Sequence, residues 1–378
     1  MRDFRVLPIR VCPFSWDSTQ NALTHYGNIR ITIDLSYPDA DGGPILYTSY
    51  SSVFQKLYEA QILNFNDYRY LVYGPQSARI LIIHGSNSDA TFISNMHEFV
   101  TWKRQKGFEV SVASTSVAGN SNNAIKSYIQ AQYDNPATRP DYLIIVGDVT
   151  GNFAVPTFSM PEDEYLGEGD YPYTLLSGND MLGDIFLGRI SAENVSQLVT
   201  LFSKIYTYEK TVNLNPSLSS WMNRMLIIGD PRYSGISCVY TGHFVREIAT
   251  QANPEYEFIE NYESGYPSTI NSGLNQGVGF FIYRGYYGVS GWSPSGSSLV
   301  NGFKLPHAVI LTCMTGEFAS GTSLSEEFTR MGTSATPSGA VTCVGMASGG
   351  THTAFNNALT SGIMSGILCH GMRTMGEA

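Results

Sequence analysis

The chain is poor in charge. Of its 378 residues only 14% are Asp, Glu, Lys or Arg, and 32 acidic against 22 basic side chains leave a net charge of -10. No Lys/Arg cluster offsets this locally, so a phosphate-tracking surface is excluded, and nucleic acid with it. Cysteine is scarce too. Cys12, Cys238, Cys313, Cys343 and Cys369 form no CxxC pair, no zinc spacing with histidine and no dense disulfide framework, and their odd number leaves at least one thiol unpaired. No stretch reaches the roughly 18 apolar residues that span a bilayer. The opening MRDFRVLPIRV lacks the apolar region of a signal peptide, which places any export signal upstream of this sequence. A Gly-x-Gly-x-x-Gly turn is missing after the first apolar strand, where HGSNSDAT stands, and this argues against a small-molecule enzyme of dinucleotide-binding type.

What is present is Gly, Ser, Thr, Asn and Tyr: the 24 tyrosines alone outnumber the 22 basic residues, a composition typical of secreted or surface proteins. Residues 4–12 and 28–36 alternate and are rich in β-branched side chains around the polar WDSTQNALTHYG, which predicts a hairpin in a small all-β appendage, residues 1–45. A Gly/Pro/Asp break at 37–44 leads into a Tyr-rich connector, 46–76.

From residue 77 the pattern alternates strand and helix. ARILIIHG is the continuous apolar run of a strand buried on both faces. Phe92, Ile93, Met96, Phe99 and Val100 then recur at helical spacing, with Ser88 or Asp89 placed to cap and Gly107 to stop. FEVSVAS, a helix over about 121–133, PDYLIIVGD, DIFLGRIS and the helix AENVSQLVTLFSKIYTYEK repeat the cycle across 77–222. A second set, 223–378, opens at NRMLIIGDP and carries GVGFFIYRG, HAVILTC and GAVTCVGMAS before a helical pattern with no stop signal. The expectation is an α/β fold with parallel sheet flanked by helices in two side-by-side subdomains, the second truncated at its end.

In such sheets catalytic groups gather beyond the carboxyl ends of the strands. Cys313 is the last residue of HAVILTC before a Met-Thr-Gly turn, and RGYYGVSGW, residues 284–292, leaves the preceding strand with glycines that let backbone turn tightly beside a substrate. A cysteine behind an apolar run is ordinarily a buried, inert thiol. Cys343, inside its strand, fits that description; Cys313 is set apart by its position.

GFFIYRGYYGVSGW, followed by HAVILTCMTGEF and GAVTCVGMAS, resembles the catalytic half of the gingipain-type cysteine peptidases, family C25, which have a caspase-like fold. GDYPYTLLSGND followed by IFLGRISAENVSQLVTLFSKIYTYEK resembles that family's stretch from specificity loop to long helix, so the likeness covers roughly residues 75–375, and the first hairpin resembles the end of a β-rich pro-segment. The resemblance implies a bacterial endopeptidase, extracellular or at the cell surface, acting on polypeptides, with a pro-domain, further C-terminal domains and no required cofactor. In the family a strand ending in Tyr-x-Gly-His-Gly supplies the general base, and the next ends in the nucleophilic cysteine before x-x-Gly-Asp/Glu-Phe. Cys313, Gly316, Glu317 and Phe318 match the second motif; Tyr283 and Gly285 match the first and put Tyr286 where the histidine stands.

A phenol with a pKa near 10 is a poor base at neutral pH, and an unassisted thiol near 8.5 is only a few per cent ionised. Among the histidines, His307 starts the strand that Cys313 ends, about 20 Å away at ~3.3 Å per residue. His84 and His97 belong to the first half, His25 to the appendage, His243 and His370 to helices. His352, in SGGTHTAFNN, lies in a loop at the carboxyl edge that lines the P1 pocket in the family. A Cys313/His352 dyad is therefore one expectation, with Tyr286 holding a water as the lesser alternative and a merely structural His352 beside them. Gly285, Gly316 and Thr351 are the expected substrate-binding neighbours. Asp170 in EGDYPY matches the acid that reads a basic P1 side chain, against an ordinary turn residue. The acidic PEDEYLGEGD with Asp180 and Asp184 could hold calcium, a hard ion taking oxygen ligands and found in the family, against a solvated acidic loop. Arg284 is placed by adjacency to pair with Glu317. Two functions stand: a peptidase cutting through Cys313, with a preference for basic residues, or a pseudopeptidase serving as a binding or structural module of a larger surface protein. Tyr286 favours the second; the retained Cys313 motif and His352 favour the first.

Overall fold

The N-terminal strands form where the sequence predicts a polar turn. A computed structural model describes residues 1–4, 6–33, 50–71, 77–162, 165–212, 215 and 218–378. In it β1 (Phe14–Asp17) and β2 (Ala22–His25) pair antiparallel, with Phe14 opposite His25. The link sets this register: Asp17 Oδ1 accepts the N–H groups of Thr19 and Gln20 at 2.9 and 3.2 Å, and Asn21 takes a left-handed φ of 50°. Every residue of both strands is exposed, so no buried face draws the β-branched neighbours into a ladder. The described residues of 4–12 and 28–33 carry no strand, and 34–36 lie outside the described residues.

The chain divides into the units Met1–Gly74 and Pro75–Ala378. In the first, the expected connector is a packed element over its described residues. The helix α1 (Gln55–Gln61) puts Tyr58 edge-on to Phe4, ring centroids 4.9 Å apart, and Tyr50 and Phe65 meet at 5.2 Å. Such edge-to-face contacts favour a compact aromatic cluster over a linker.

The second unit follows the predicted alternation. β3 (Arg79–His84), α2 (Ala90–Gln105), β4 (Glu109–Ser114), α3 (Thr115–Ala118), α4 (Asn122–Asp134) and β5 (Tyr142–Val146) lead to a hairpin, β6 (Phe158–Glu162) and β7 (Tyr165–Gly169), then to β8 (Phe186–Ile190) and α5 (Val195–Tyr206). The sheet order is β4-β3-β5-β8, with every pair parallel. Ile80, Leu81, Ile82 and Ile83 are all buried, and each such side chain contributes about 1.5–3 kcal/mol of transfer free energy. Asp89 caps α2 by accepting the N–H groups of Thr91 and Phe92 at 2.7 and 3.0 Å, and Gly107 ends it at φ 93°. Phe99 of α2 stacks on Phe202 of α5, centroids 4.4 Å apart.

The second sheet is built from β9 (Arg224–Gly229), α6 (Pro231–Ser234), α7 (Ser237–Ala252), β10 (Glu257–Asn261), α8 (Tyr266–Gln276), β11 (Phe280–Arg284), β12 (His307–Ile310), α9 (Leu324–Arg330), β13 (Thr342–Gly345) and α10 (Thr353–Leu368). Its parallel order β10-β9-β11-β12-β13 reverses between β9 and β11, which opens a crevice at their carboxyl ends. α10 does not run to the end of the chain: Cys369 caps it by donating to Ser365 O at 2.8 Å, and Gly371 turns away at φ 67°. Arg330 of α9 ties the two halves of this unit together, with Nη2 3.1 Å from Asp148 and Nε donating to Ser191 O at 2.9 Å.

Candidate active site

Cys313 stands three residues past β12 and is 7% exposed. The backbone grips it from both sides. On one side it bridges to Tyr287: its N–H donates to Tyr286 O at 3.4 Å and its C=O accepts from Gly288 N–H at 3.2 Å. On the other, Met314 N–H donates to Ser348 O at 3.4 Å and Gly316 N–H to Met346 O at 3.0 Å. Met314 holds φ 63°, a conformation unfavourable for a side chain with a Cβ, so the turn after the cysteine is strained and over-determined by its surroundings. Gly316 is required for a simple reason: a Cβ there would come within 2.7 Å of Gly345 C. Cys343, inside β13 as expected, donates to Ser325 Oγ at 3.4 Å, and burial pushes its thiol up to about 12. It is a structural cysteine.

His352 is not presented as a base. It is exposed at the N-cap of α10, where Nδ1 accepts the N–H of Ala354 at 3.1 Å. Since that partner is an amide donor, the neutral ring carries its proton on Nε2, the wrong tautomer for taking a proton there. Among the described residues no hydrogen bond joins Cys313 to His352. Tyr286 is 58% exposed and its ring packs against Tyr233 at 5.7 Å, turned to solvent. His307 lies at the start of β12 as expected, bonded to Thr342 and Tyr208 at 2.8 and 2.9 Å, and burial lowers its pKa to about 4.

Asp170 is a correction. It is no open acid, because Arg189 Nε and Nη2 donate to its two carboxylate oxygens, each at 2.7 Å, and Thr157 adds a third bond at 2.8 Å. The guanidinium lies 5.2 Å from the ring centre of Phe318, so this pair supports the Gly-Glu-Phe turn behind the cysteine. Nearby, Glu168 accepts the Ala319 N–H at 2.5 Å; burial raises its pKa and these backbone bonds oppose the rise. Arg284 does not pair with Glu317 either: it is buried against α10, while Glu317 accepts from Ser320 Oγ at 3.2 Å. Gly285 is buried on the Tyr283 ring, and its C=O accepts from Ser234 Oγ at 2.8 Å. Thr351 Oγ1 is closed off from solvent and has no hydrogen-bond partner among the described residues.

Two of the expected calcium ligands, Asp180 and Asp184, accept backbone N–H groups. Asp180 accepts the Leu182 N–H, and Asp184 accepts those of Leu176 and Ser177, between 2.7 and 2.8 Å, which closes local turns. Part of the acidic loop, residues 163–164, lies outside the described residues. No group of three His, Cys, Asp or Glu side chains among the described residues is arranged to hold a metal ion.

The protein is thus an α/β fold that carries a cysteine on a strained turn at the carboxyl edge of a parallel sheet, next to the switch point. The chain belongs to peptidase family C25, whose model matches residues 73–378. Gingipain R1 of Porphyromonas gingivalis is 24% identical over 334 residues, which cover 84% of this chain and 32% of that protein. Lys-gingipain W83 of the same organism is 26% identical over 338 residues, 84% of this chain and 18% of that one. The chain thus spans under half the length of these relatives. The crystal structure of the Arg-specific cysteine proteinase gingipain R superimposes with a TM-score of 0.67 at 22% identity, over 81% of this chain and 72% of that one. A complex of Porphyromonas gingivalis RgpB pro- and mature domains gives 0.62 at 20% identity, over 80% and 76%. At these identities the superpositions establish the fold. No helix among the described residues is long and apolar enough to cross a membrane.

Proposed function

We propose that the chain is a cysteine endopeptidase that hydrolyses peptide bonds through Cys313, outside the cell or at its surface, within a longer protein that includes a pro-segment. The observation that supports this reading is the mount of Cys313: backbone bonds on both flanks and the left-handed Met314 hold its backbone at the sheet's carboxyl edge. The thiolate attacks the peptide carbonyl, the C–S bond forms as the C–N bond breaks, the amine leaves with a proton from solvent, and water hydrolyses the thioester. The chain's own groups and water suffice for this chemistry. In this reading Asp170 does not select basic residues, because Arg189 already answers its charge.

The second reading, a peptide-binding pseudopeptidase, is favoured by Tyr286, which points to solvent where the family carries its base. One experiment separates the two. The protein is incubated with a proteome-derived peptide library and with peptidyl chloromethyl ketones bearing basic or aromatic P1 groups; cut sites and modified peptides are read by mass spectrometry, for wild type and Cys313→Ala. Cleavage and trapping that vanish in the variant support the peptidase. Peptide binding without either supports the pseudopeptidase.

A further inference from the structure

Two tyrosines stand open where a buried strand ends. Along β11 Phe281, Ile282, Tyr283 and Arg284 are all buried, but past Gly285 the chain surfaces, and Tyr286 is 58% exposed. Its ring meets that of Tyr233 on α6, centroids 5.7 Å and planes 50° apart, and Tyr233 is 78% exposed. Folding gains little from aromatic surface left in water, and contiguous surface of this kind marks a place of contact. The pair is also held still. Ser234 Oγ donates to Gly285 O at 2.8 Å and so ties α6 to the loop, while Thr312 Oγ1 donates to Gly288 O at 2.6 Å and Ser290 N–H to Tyr283 Oη at 3.0 Å. Ile236, the N-cap of α7, and Tyr240, one turn on, are exposed as well.

The backbone places this pair beside the cysteine. Tyr286 O accepts the Cys313 N–H at 3.4 Å and Tyr287 bridges to Cys313, so the two segments run side by side at the spacing of neighbouring strands, about 4.8 Å. At about 3.3 Å per residue, a polypeptide laid across Cys313 reaches the two rings within about three residues. Charge then decides which side chain suits them. Asp230, at the carboxyl end of β9, is 2% exposed and already engaged: Arg232 Nη2 and Nε donate to its two oxygens at 2.7 and 3.0 Å, and Ser290 Oγ donates as well. The outward member of that ion pair is the cation, since the Arg232 side chain is 55% exposed, one residue before Tyr233. A basic side chain is repelled there, whereas an aromatic one gains tilted or offset ring contacts on a surface that is already ordered.

We propose that Tyr286 and Tyr233 form a subsite for an aromatic side chain of a polypeptide lying across Cys313, so that ring contact rather than charge selects what binds at this edge. The subsite makes no covalent step of its own, and it rests on the reading of the Cys313 edge as the place where a peptide lies, whether that peptide is cut or only held.

The test measures binding apart from cutting. The full chain carrying Cys313→Ala is immobilised and offered a random-sequence peptide library; retained peptides are sequenced by mass spectrometry and their affinities measured by fluorescence anisotropy. The same is done with Tyr286→Ser, Tyr286→Phe, Tyr233→Ser or Tyr233→Phe added. Retained peptides should be enriched in Phe, Tyr or Trp, and either Ser variant should weaken them about fivefold to tenfold and erase the enrichment. Both Phe variants should keep it, because the ring face and not the phenol makes the contact. All four variants should melt where Cys313→Ala melts, since both rings are exposed. Aromatic enrichment that survives both Ser variants overturns the proposal, as does a failure to retain aromatic peptides. Enrichment in Lys or Arg that the Ser variants abolish overturns it too, because the rings would then be holding a cation. The chain with Cys313 intact is finally given the retained peptides. Tyrosine-dependent aromatic binding without cleavage would sink the peptidase reading and keep this one; cleavage with no aromatic preference within about three residues of the cut bond would do the reverse.

Discussion

Asp170 and Arg189 close on each other through two parallel bonds of 2.7 Å, both side chains buried, directly behind the turn that follows Cys313. Such a pair is hard to break from one side, because removing a partner strands a charge. Arg189→Met should therefore cost about 3–5 kcal/mol of stability in urea denaturation. Asp170→Asn, measured on matched peptides with basic and apolar P1 residues, should leave the ratio of cleavage rates unchanged. A selective loss of the basic substrate would show that Asp170 reads substrate after all.

Met314 at φ 63° gives a prediction about strain. Glycine adopts this conformation freely, so Met314→Gly should leave the thermal midpoint nearly unchanged, the relief of strain offsetting the greater freedom of glycine in the unfolded chain. Met314→Val puts a branched Cβ into the same conformation and should cost about 1–3 kcal/mol. Equal effects from the two substitutions would mean that the turn is not strained.

Lys204 of α5 is 1% exposed and donates to Thr329 O and, at 3.4 Å, to Ala340 O, with burial lowering its pKa to about 7. Between that value and the ordinary value of 10.5, the unfolded chain holds a proton that the folded chain lacks. Stability attributable to this group therefore rises with pH across the window, by up to about 1.4 kcal/mol per unit. Below pH 7 both states hold the proton and the slope vanishes. Lys204→Met should flatten the rise, so its advantage over wild type is largest near pH 7 and closes toward pH 10. Chemical denaturation at the two pH values reads this directly.

The α/β alternation was legible because buried strands advertise themselves: Ile80 to Ile83 and Met225 to Ile228 are apolar on both faces. The hairpin was not, since all eight of its strand residues are exposed and only the Asp17 turn fixes the pairing. Cys313 was found by its place after a strand. The partner of Asp170 lies 19 residues away and those of Arg284 lie 69 and 73 away, separations at which one sequence gives no pairing signal. A hint for Arg284 did exist: in FFIYR it shares parity with Ile282, which is itself fully buried.

His352 offers the sharpest division between a cap and a base. If its Nδ1 serves α10, His352→Ala should cost about 1 kcal/mol, and His352→Asn or His352→Ser, which can accept the same Ala354 N–H, should restore that stability. Cleavage, or Cys313 alkylation at pH 6, should then survive in the Asn and Ser variants. A base leaves a different trace: all three variants would lose activity alike, because none carries a group that titrates near neutrality. Running stability and Cys313 reactivity on the same three proteins reads the two roles independently. Stability restored with reactivity intact identifies the cap, and stability restored with reactivity lost returns the imidazole to the chemistry.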